Sequence, residues 1–199
     1  MKRKILAVAA ALLLAPMVAG LAQANGSYLI GKVGAYIPDE SNVNTGFNGE
    51  IGYGFNLVPR PGLLAIEGTL GYLYADSKRL DGYKFQADVM PLAVSLKAGV
   101  EAKPFTFYVG GGFDLLFVSM DAKYSNWYRS SDSDNDVIWG GHVMAGATVD
   151  INPHMFVGAE VKYLATQDMS MSFFDRYGNT NFTGDLNGVS ISAVFGVRF

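Results

Sequence analysis

One histidine is the residue of this sequence whose type and position could most plainly support catalysis. His142 lies on the polar side of an alternating segment, and a histidine beside a hydroxyl and a carboxylate can activate a nucleophile for acyl transfer. No serine lies within two positions of His142, and Ser190 or Ser192 could approach it only across a neighbouring segment. The preferred interpretation is a histidine that forms hydrogen bonds inside the fold. We therefore predict no catalytic residue and no enzymatic activity.

Three aspartates, Asp132, Asp134 and Asp136, alternate in a polar segment and resemble the start of a calcium-binding loop. The twelve-residue EF-hand pattern would require glycine at position 137 and glutamate at position 143, and the sequence has valine at both. A solvated acidic loop is preferred, and weak bridging of Ca²⁺ or Mg²⁺ to lipopolysaccharide phosphates is the alternative. We predict no metal site and no cofactor.

Eight charged residues fall on the polar side of alternating segments, where they would point into a closed fold. Buried charges must pair or accept hydrogen bonds, because an unpaired buried charge is costly. The preferred interpretation is a salt-bridged polar core, and the alternative is a narrow ion path lined by the same groups. The eight residues are Lys32, Glu50, Glu67, Lys97, Asp114, Glu160, Lys162 and Arg198. The sequence alone does not assign their partners.

Two aromatic clusters in the longest polar segments are candidates for contact with an outside partner. The first contains Trp127, Tyr128 and Arg129, and the second contains Phe173 and Phe174. Exposed aromatic residues accompanied by arginine are typical of binding surfaces. The alternative is an aromatic girdle at the level of lipid headgroups.

The elements that must position these residues are eight runs with period-two alternation. In the last run, apolar residues from Val189 to Phe199 alternate with Ser190, Ser192, Gly196 and Arg198. Runs of this length cross a membrane as tilted strands. The predicted runs lie near residues 29–36, 50–55, 66–74, 92–99, 109–117, 142–149, 157–163 and 189–199.

The connections between the runs alternate in length. After the second, fourth and sixth runs they are short and contain proline, which ends strand pairing: 56–62, 101–104 and 152–154. The other connections are longer and polar, and the longest are predicted at Ser119–Asp136 and Thr166–Asn187. This asymmetry favours an all-β fold: a single antiparallel eight-stranded transmembrane β-barrel, an up-and-down meander with short periplasmic turns and long outer loops. A soluble β-sandwich is the alternative. Pro91 predicts a bulge or an unpaired stretch in the fourth strand.

The N-terminal segment predicts export. Lys2–Lys4 is basic, Ile5–Leu14 is apolar, and Ala22–Ala24 has the small-x-small pattern that a signal peptidase cleaves. A transmembrane helix, the alternative, needs about twenty apolar residues, and Pro16 interrupts the run. We predict a signal peptide at 1–24 and one mature domain at 25–199. The sequence has no cysteine, which excludes disulfides and cysteine metal sites, and a net charge of −3, which argues against a nucleic-acid partner.

With these features the chain resembles the small eight-stranded outer-membrane protein families, the OmpX-like and OmpW-like barrels and the OmpA barrel domain. The resemblance rests on the signal peptide, on glycine–aromatic strands such as 108–113, and on the terminal segment 196–199. It implies location in the bacterial outer membrane and recognition of Phe199 by the barrel-assembly machinery. Because the chain ends with the barrel, no peptidoglycan-binding domain is expected.

Together these observations predict an integral outer-membrane barrel with a filled, charged interior and a structural or surface-interaction role through its outer loops. A narrow channel or carrier for ions or small hydrophobic solutes is the alternative, and a lipid A-modifying enzyme is a remote one. The expected partners are membrane lipid, lipopolysaccharide and an unidentified extracellular molecule. We expect a monomer.

Overall fold

Eight antiparallel strands form a closed barrel in the computed structural model of the protein. The structure describes residues 26–40, 43–76, 83–124, 133–167, 169–175 and 178–199. The barrel strands are β1 (Ser27–Pro38), β2 (Gly46–Asn56), β3 (Gly62–Asp76), β4 (Tyr83–Ala102), β5 (Phe105–Tyr124), β6 (Ser133–Asn152), β7 (Met155–Thr166) and β10 (Gly188–Arg198). Two further strands, β8 (Met169–Asp175) and β9 (Gly178–Gly184), pair with each other. Each barrel strand pairs with the next barrel strand along the chain, so that β7 pairs with β10. The barrel is closed by the pairing of β10 with β1.

The predicted eight-stranded meander is therefore confirmed. The short connections lie at residues 57–61, 103–104 and 153–154, all at one end of the barrel, which we call the turn end. The opposite end, the loop end, carries the longer connections. The predicted loop at 119–136 is wrong in extent, because β5 continues to Tyr124 and β6 begins at Ser133. The predicted loop at 166–187 contains the β8–β9 hairpin.

Strands β4, β5 and β6 are much longer than a membrane crossing requires. Each has 20 residues, which at about 3.3 Å per residue span roughly 66 Å. A transmembrane strand needs only about 9–11 residues. Since β7 pairs with β6 only from Gly140 onward and β3 ends at Asp76, the extra length projects from the loop end.

Alternation along each strand separates an apolar outer surface from a polar interior. Ile51 is 63% exposed whereas the preceding Glu50 is buried, and Phe113 is 77% exposed whereas the following Asp114 is buried. In the described residues no helix is long and apolar enough to cross a membrane.

Glycines opposite aromatic residues explain the glycine–aromatic composition of the strands. Phe156 of β7 pairs directly with Gly196 of β10, and its ring occupies the place that a Cβ atom on Gly196 would need. The rings of Tyr28 and Tyr108 lie in the same way on the glycines opposite them. Close packing leaves no room for both a ring and a methyl group at such a pair.

Proline interrupts one strand pairing locally. Residues of β3 and β4 pair up to Leu70 with Leu92 and resume at Leu73 with Val89, so the register does not shift. Pro91 lies in the gap, where its missing N–H and rigid ring disfavour a ladder bond to β3. An unpaired stretch, rather than a bulge, accommodates Pro91.

Two clusters of buried apolar side chains lie inside the barrel. The loop-end cluster consists of Tyr36, Leu73, Ala75, Val89, Leu116, Val118, Ile138 and Leu164, with Val43 and Leu186 packed against it. The turn-end cluster consists of Tyr28, Ile30, Ala65, Phe156 and Val194, with Leu63 packed against it. Charged side chains occupy the interior between the two clusters.

Candidate functional site

Lys32 of β1 lies at the centre of a group of buried ionisable side chains. Its Nζ atom is 2.7 Å from Glu160 Oε1 of β7, 3.0 Å from Glu67 Oε1 of β3 and 3.6 Å from Glu50 Oε2 of β2. Glu50 is its direct cross-strand partner, whereas Glu67 and Glu160 reach it across the interior. One ammonium group therefore contacts carboxylates from three strands.

Lys97 and Lys162 complete this group. Lys97 Nζ is 2.8 Å from Glu67 Oε2 and 3.1 Å from Glu160 Oε2, and Lys162 contacts Glu50. The six members all lie in the interior, and three ammonium groups face three carboxylates. The three positive charges therefore balance the three negative charges, as a low-dielectric interior requires.

Two tyrosines extend the group toward the turn end. Tyr28 donates a hydrogen bond to Glu67 (2.9 Å), and Tyr108 donates one to Glu160 (2.8 Å). The Nζ atom of Lys97 also lies 4.6 Å from the centroid of the Tyr108 ring. We call these eight residues, the three lysines, three glutamates and two tyrosines, the ion layer.

Asp114 and Arg198, which the sequence grouped with these charges, have other partners. Arg198 Nη1 is 2.5 Å from Asp150 Oδ1 at the turn end, and its guanidinium lies 4.5 Å from the centroid of the Phe156 ring. Asp114 Oδ2 is 2.5 Å from His142 Nδ1, on the loop-end side of the ion layer. Six of the eight predicted residues thus form one group, and the other two, Asp114 and Arg198, each pair with a residue outside the predicted set.

Ser95 joins the Asp114–His142 pair. Its Oγ atom is 2.9 Å from His142 Nε2, so a hydroxyl of β4, an imidazole of β6 and a carboxylate of β5 form one hydrogen-bonded chain. Sequence reasoning considered Ser190 and Ser192 and missed Ser95. The available signal was the position of Ser95 on the polar face of β4, two residues before Lys97, but only the register brings it near His142.

The order serine–histidine–aspartate is that of hydrolytic triads. Here Ser95, His142 and Asp114 are all at most 5% exposed. The next interior residue along β4 toward the turn end is Lys97 of the ion layer, and the next along β5 toward the loop end is Leu116 of the loop-end cluster. This burial separates the hydroxyl from both ends of the barrel. The three hydrogen-bonded side chains belong to three adjacent strands. Among the described residues, no three metal-ligating side chains form a cluster that could hold a metal ion.

Comparison with known proteins assigns the family. A family model described as outer membrane protein beta-barrel domain matches residues 6–199. The chain belongs to this family. Its location is therefore the bacterial outer membrane, with the turn end toward the periplasm and the loop end outside. No curated protein matches the sequence.

Solved outer-membrane barrels share the fold at low sequence identity. Neisserial surface protein A is 17% identical with a TM-score of 0.60, and 89% of this chain matches 99% of that one. The outer membrane protein OprG from Pseudomonas aeruginosa is 15% identical with a TM-score of 0.66, over 89% and 97% of the two chains. A major outer membrane protein from Thermus thermophilus is 11% identical with a TM-score of 0.64, over 87% and 98%.

A recess opens at the periplasmic turn end of this outer-membrane barrel. Its cavity volume is about 60 Å³, and Lys97 of the ion layer lies at its inner limit. Its rim carries two ion pairs, Arg60 with Glu101 (3.2 Å) and Arg198 with Asp150. The recess is large enough for a few water molecules.

Phe199 and the second predicted aromatic cluster lie at opposite ends of the barrel. Phe199 is 52% exposed, and its backbone N–H donates to the carbonyl of Ser27 at 3.0 Å. Phe173 and Phe174 belong to β8, in the hairpin of the loop end. Trp127, Tyr128 and Arg129 lie outside the described residues. The aromatic side chains of Tyr72, Trp139, Phe105 and Phe107 are exposed on the outer surface of the barrel.

Proposed function

We propose that this protein is a closed outer-membrane barrel that acts structurally or through its outer loops, and that it neither conducts ions nor catalyses a reaction. The observation that supports this most is the filling of its interior. The ion layer lies between two apolar clusters whose buried members are at most 9% exposed. An eight-stranded barrel is just wide enough for side chains to fill it.

The loop-end cluster is the main barrier to ions. Leu116 and Val89 are fully buried, and Tyr36 is 1% exposed. An ion that crosses this region would lose its hydration without gaining polar ligands, which costs several kcal/mol or more. In addition, the equal numbers of lysines and glutamates leave the ion layer without a net charge that would attract either cations or anions.

The segments beyond the membrane are the parts of the protein that meet other molecules. We propose contacts through Trp127, Tyr128 and Arg129 and through Phe173 and Phe174, with lipopolysaccharide or an extracellular molecule as partner. The biogenesis proposals are cleavage after Ala24 and recognition of Phe199 by the barrel-assembly machinery. The protein then acts as a monomer.

We expect the protein to give no ionic conductance in a planar lipid bilayer. After refolding, the mature protein should insert and show heat-resistant migration on gels, yet give no discrete conductance steps. A variant that opens the apolar barrier, Leu116→Ser with Val89→Ser, is the positive control. Discrete steps in the unmodified protein that change when Glu67 or Lys97 is neutralised would contradict the proposal.

Such steps would favour the second candidate, a narrow ion path. The observation that favours it is the turn-end recess, which brings the periplasm as far as Lys97. Conduction would then require the ion layer and the loop-end cluster to open.

The buried Ser95–His142–Asp114 chain is the one arrangement that favours the enzyme alternative. We expect Ser95 not to react with a fluorophosphonate probe in the folded protein, because both neighbouring layers exclude the reagent. Mass spectrometry of the treated protein measures this, and Ser95→Ala provides the unreactive reference. Labelling that disappears in both Ser95→Ala and His142→Ala would support an activated serine instead.

A further inference from the structure

One strand pairing of the barrel differs from the others in the distance along the chain that it joins. Strand β10 pairs with β1, from Arg198 opposite Tyr28 to Gly188 opposite Pro38. Among the described residues, every other pairing of barrel strands joins strands that follow one another in the barrel. We call the boundary between β1 and β10 the seam. Its closure brings together distant parts of the chain, which costs conformational entropy.

Two ion pairs of the ion layer cross the seam. Lys32 of β1 contacts Glu160 of β7 at 2.7 Å, and Lys162 of β7 contacts Glu50 of β2. Because β10 lies between β7 and β1 in the barrel wall, both pairs reach over β10 on the inside. In an unclosed sheet, β7 would lie near one edge and β1 and β2 at the opposite edge. These two pairs, which we call the clasps, therefore depend on closure of the barrel.

Strand β10 leaves room for the clasps. Its inward residues Ser190 and Ser192 pair directly with Lys162 and Glu160 of β7. On the side of β1, Ser192 lies opposite Gly34. Both serines are buried, and their short side chains allow the longer side chains of the neighbouring strands to meet over β10.

The other ion pairs of the ion layer do not cross the seam. Glu67 of β3 contacts Lys97 of β4 (2.8 Å) and Lys32 of β1 (3.0 Å). Lys97 also reaches Glu160 from β4 to β7 (3.1 Å), and Lys32 lies beside Glu50 on the adjacent strand (3.6 Å). The same buried layer thus contains carboxylates of equal charge whose partners lie across the seam or away from it.

We infer that the clasps lock the completed barrel at its seam, so that their loss weakens the pairing of β1 with β10 before the rest of the wall. A broken clasp leaves a buried charge without its partner, which is costly until water reaches it. Since no turn joins β1 directly to β10, the seam can separate locally while every hairpin stays paired. Local openings of this kind cost less than unfolding. The inference goes beyond the proposed function, because a filled, closed barrel does not require its ion pairs to lie across one particular boundary.

Native-state amide hydrogen exchange tests the clasps in the mature protein in lipid nanodiscs, with NMR resolving single amides. Glu50→Gln breaks one clasp and keeps the shape of the side chain. We expect it to raise the exchange rates of amides bonded across the seam at least about tenfold, because hydrogen bonds to charged groups are among the stronger ones. The amides bonded between β4 and β5, on the far side of the barrel, should change much less.

Glu67→Gln is the matched control. It also removes one buried carboxylate from the ion layer, but its lysine partners do not lie across the seam. Its effect on exchange should be no larger at the seam than elsewhere. Lys162→Met, with Lys97→Met as its control, repeats the comparison from the lysine side and decides the question if a glutamine variant fails to fold. The inference is overturned if Glu50→Gln and Lys162→Met raise exchange evenly over all strand pairings, or if either control raises it at the seam as much as they do.

Discussion

Replacing Glu160 by alanine is expected to destabilise the barrel by about 3–5 kcal/mol, the usual cost of breaking a buried ion pair from one side. Glu160 accepts from Lys32 (2.7 Å), Lys97 (3.1 Å) and Tyr108 (2.8 Å). Its loss leaves three buried ammonium groups facing two carboxylates. Urea unfolding of the refolded protein in lipid vesicles, followed by gel mobility, measures the change.

Two further variants separate charge from packing. Lys97→Met in the Glu160→Ala background restores equal numbers of lysines and glutamates, so it should recover part of the lost stability although it removes another native side chain. Glu101→Gln is the control. The Glu101 side chain is only 7% exposed, but its partner Arg60 is 45% exposed at the rim, where water screens the pair, so we expect a cost of about 1 kcal/mol or less. If Glu160→Ala costs no more than Glu101→Gln, the ion layer does not stabilise the barrel.

Gly196→Ala is expected to destabilise the protein by about 1–3 kcal/mol, the range for an overpacked interior. The added methyl group would overlap the ring of Phe156, which lies on Gly196 from the neighbouring strand. Either the ring must leave its rotamer or β7 and β10 must separate locally. The same unfolding assay measures the loss.

Gly31→Ala is the matched control and should change stability in the opposite direction. Nothing lies within 4 Å of a Cβ atom placed on Gly31, so no overlap arises. Alanine in a strand interior is otherwise favoured over glycine by about 0.5–1 kcal/mol. Phe156→Leu combined with Gly196→Ala should cost less than the sum of the single changes, because the smaller side chain leaves room for the methyl group. Equal effects of Gly196→Ala and Gly31→Ala would show that the ring does not limit the space.

The eight strands were predictable because their signal is local. Side chains of a strand alternate between its two faces, so the contrast between Ile51 and Glu50 is present in any ten-residue window. Short proline-containing connections such as 103–104 mark the turn end in the same local way. The β8–β9 hairpin escaped prediction because polar residues and glycines in that stretch are equally typical of an outer loop.

The contacts between side chains inside the barrel could not be predicted from such local patterns. Glu160 is 128 residues from Lys32 in the chain, and Ser95 is 47 residues from His142. Which of the serines on polar faces meets His142 depends on the register of β4, β5 and β6, and a shift by one residue would turn every side chain to the other face. The serines that the sequence analysis considered, Ser190 and Ser192, lie on β10.

The sequence by itself therefore determined the fold class, the approximate positions of the eight barrel strands and which charges point inward, because these follow from period-two alternation. The tertiary structure alone decided two things: that six of the eight predicted charges belong to the ion layer while Asp114 and Arg198 pair elsewhere, and that Ser95 completes a chain with His142. Each depends on strand register and on contacts across the closed interior. Such contacts are non-local, and no window of the sequence contains both partners.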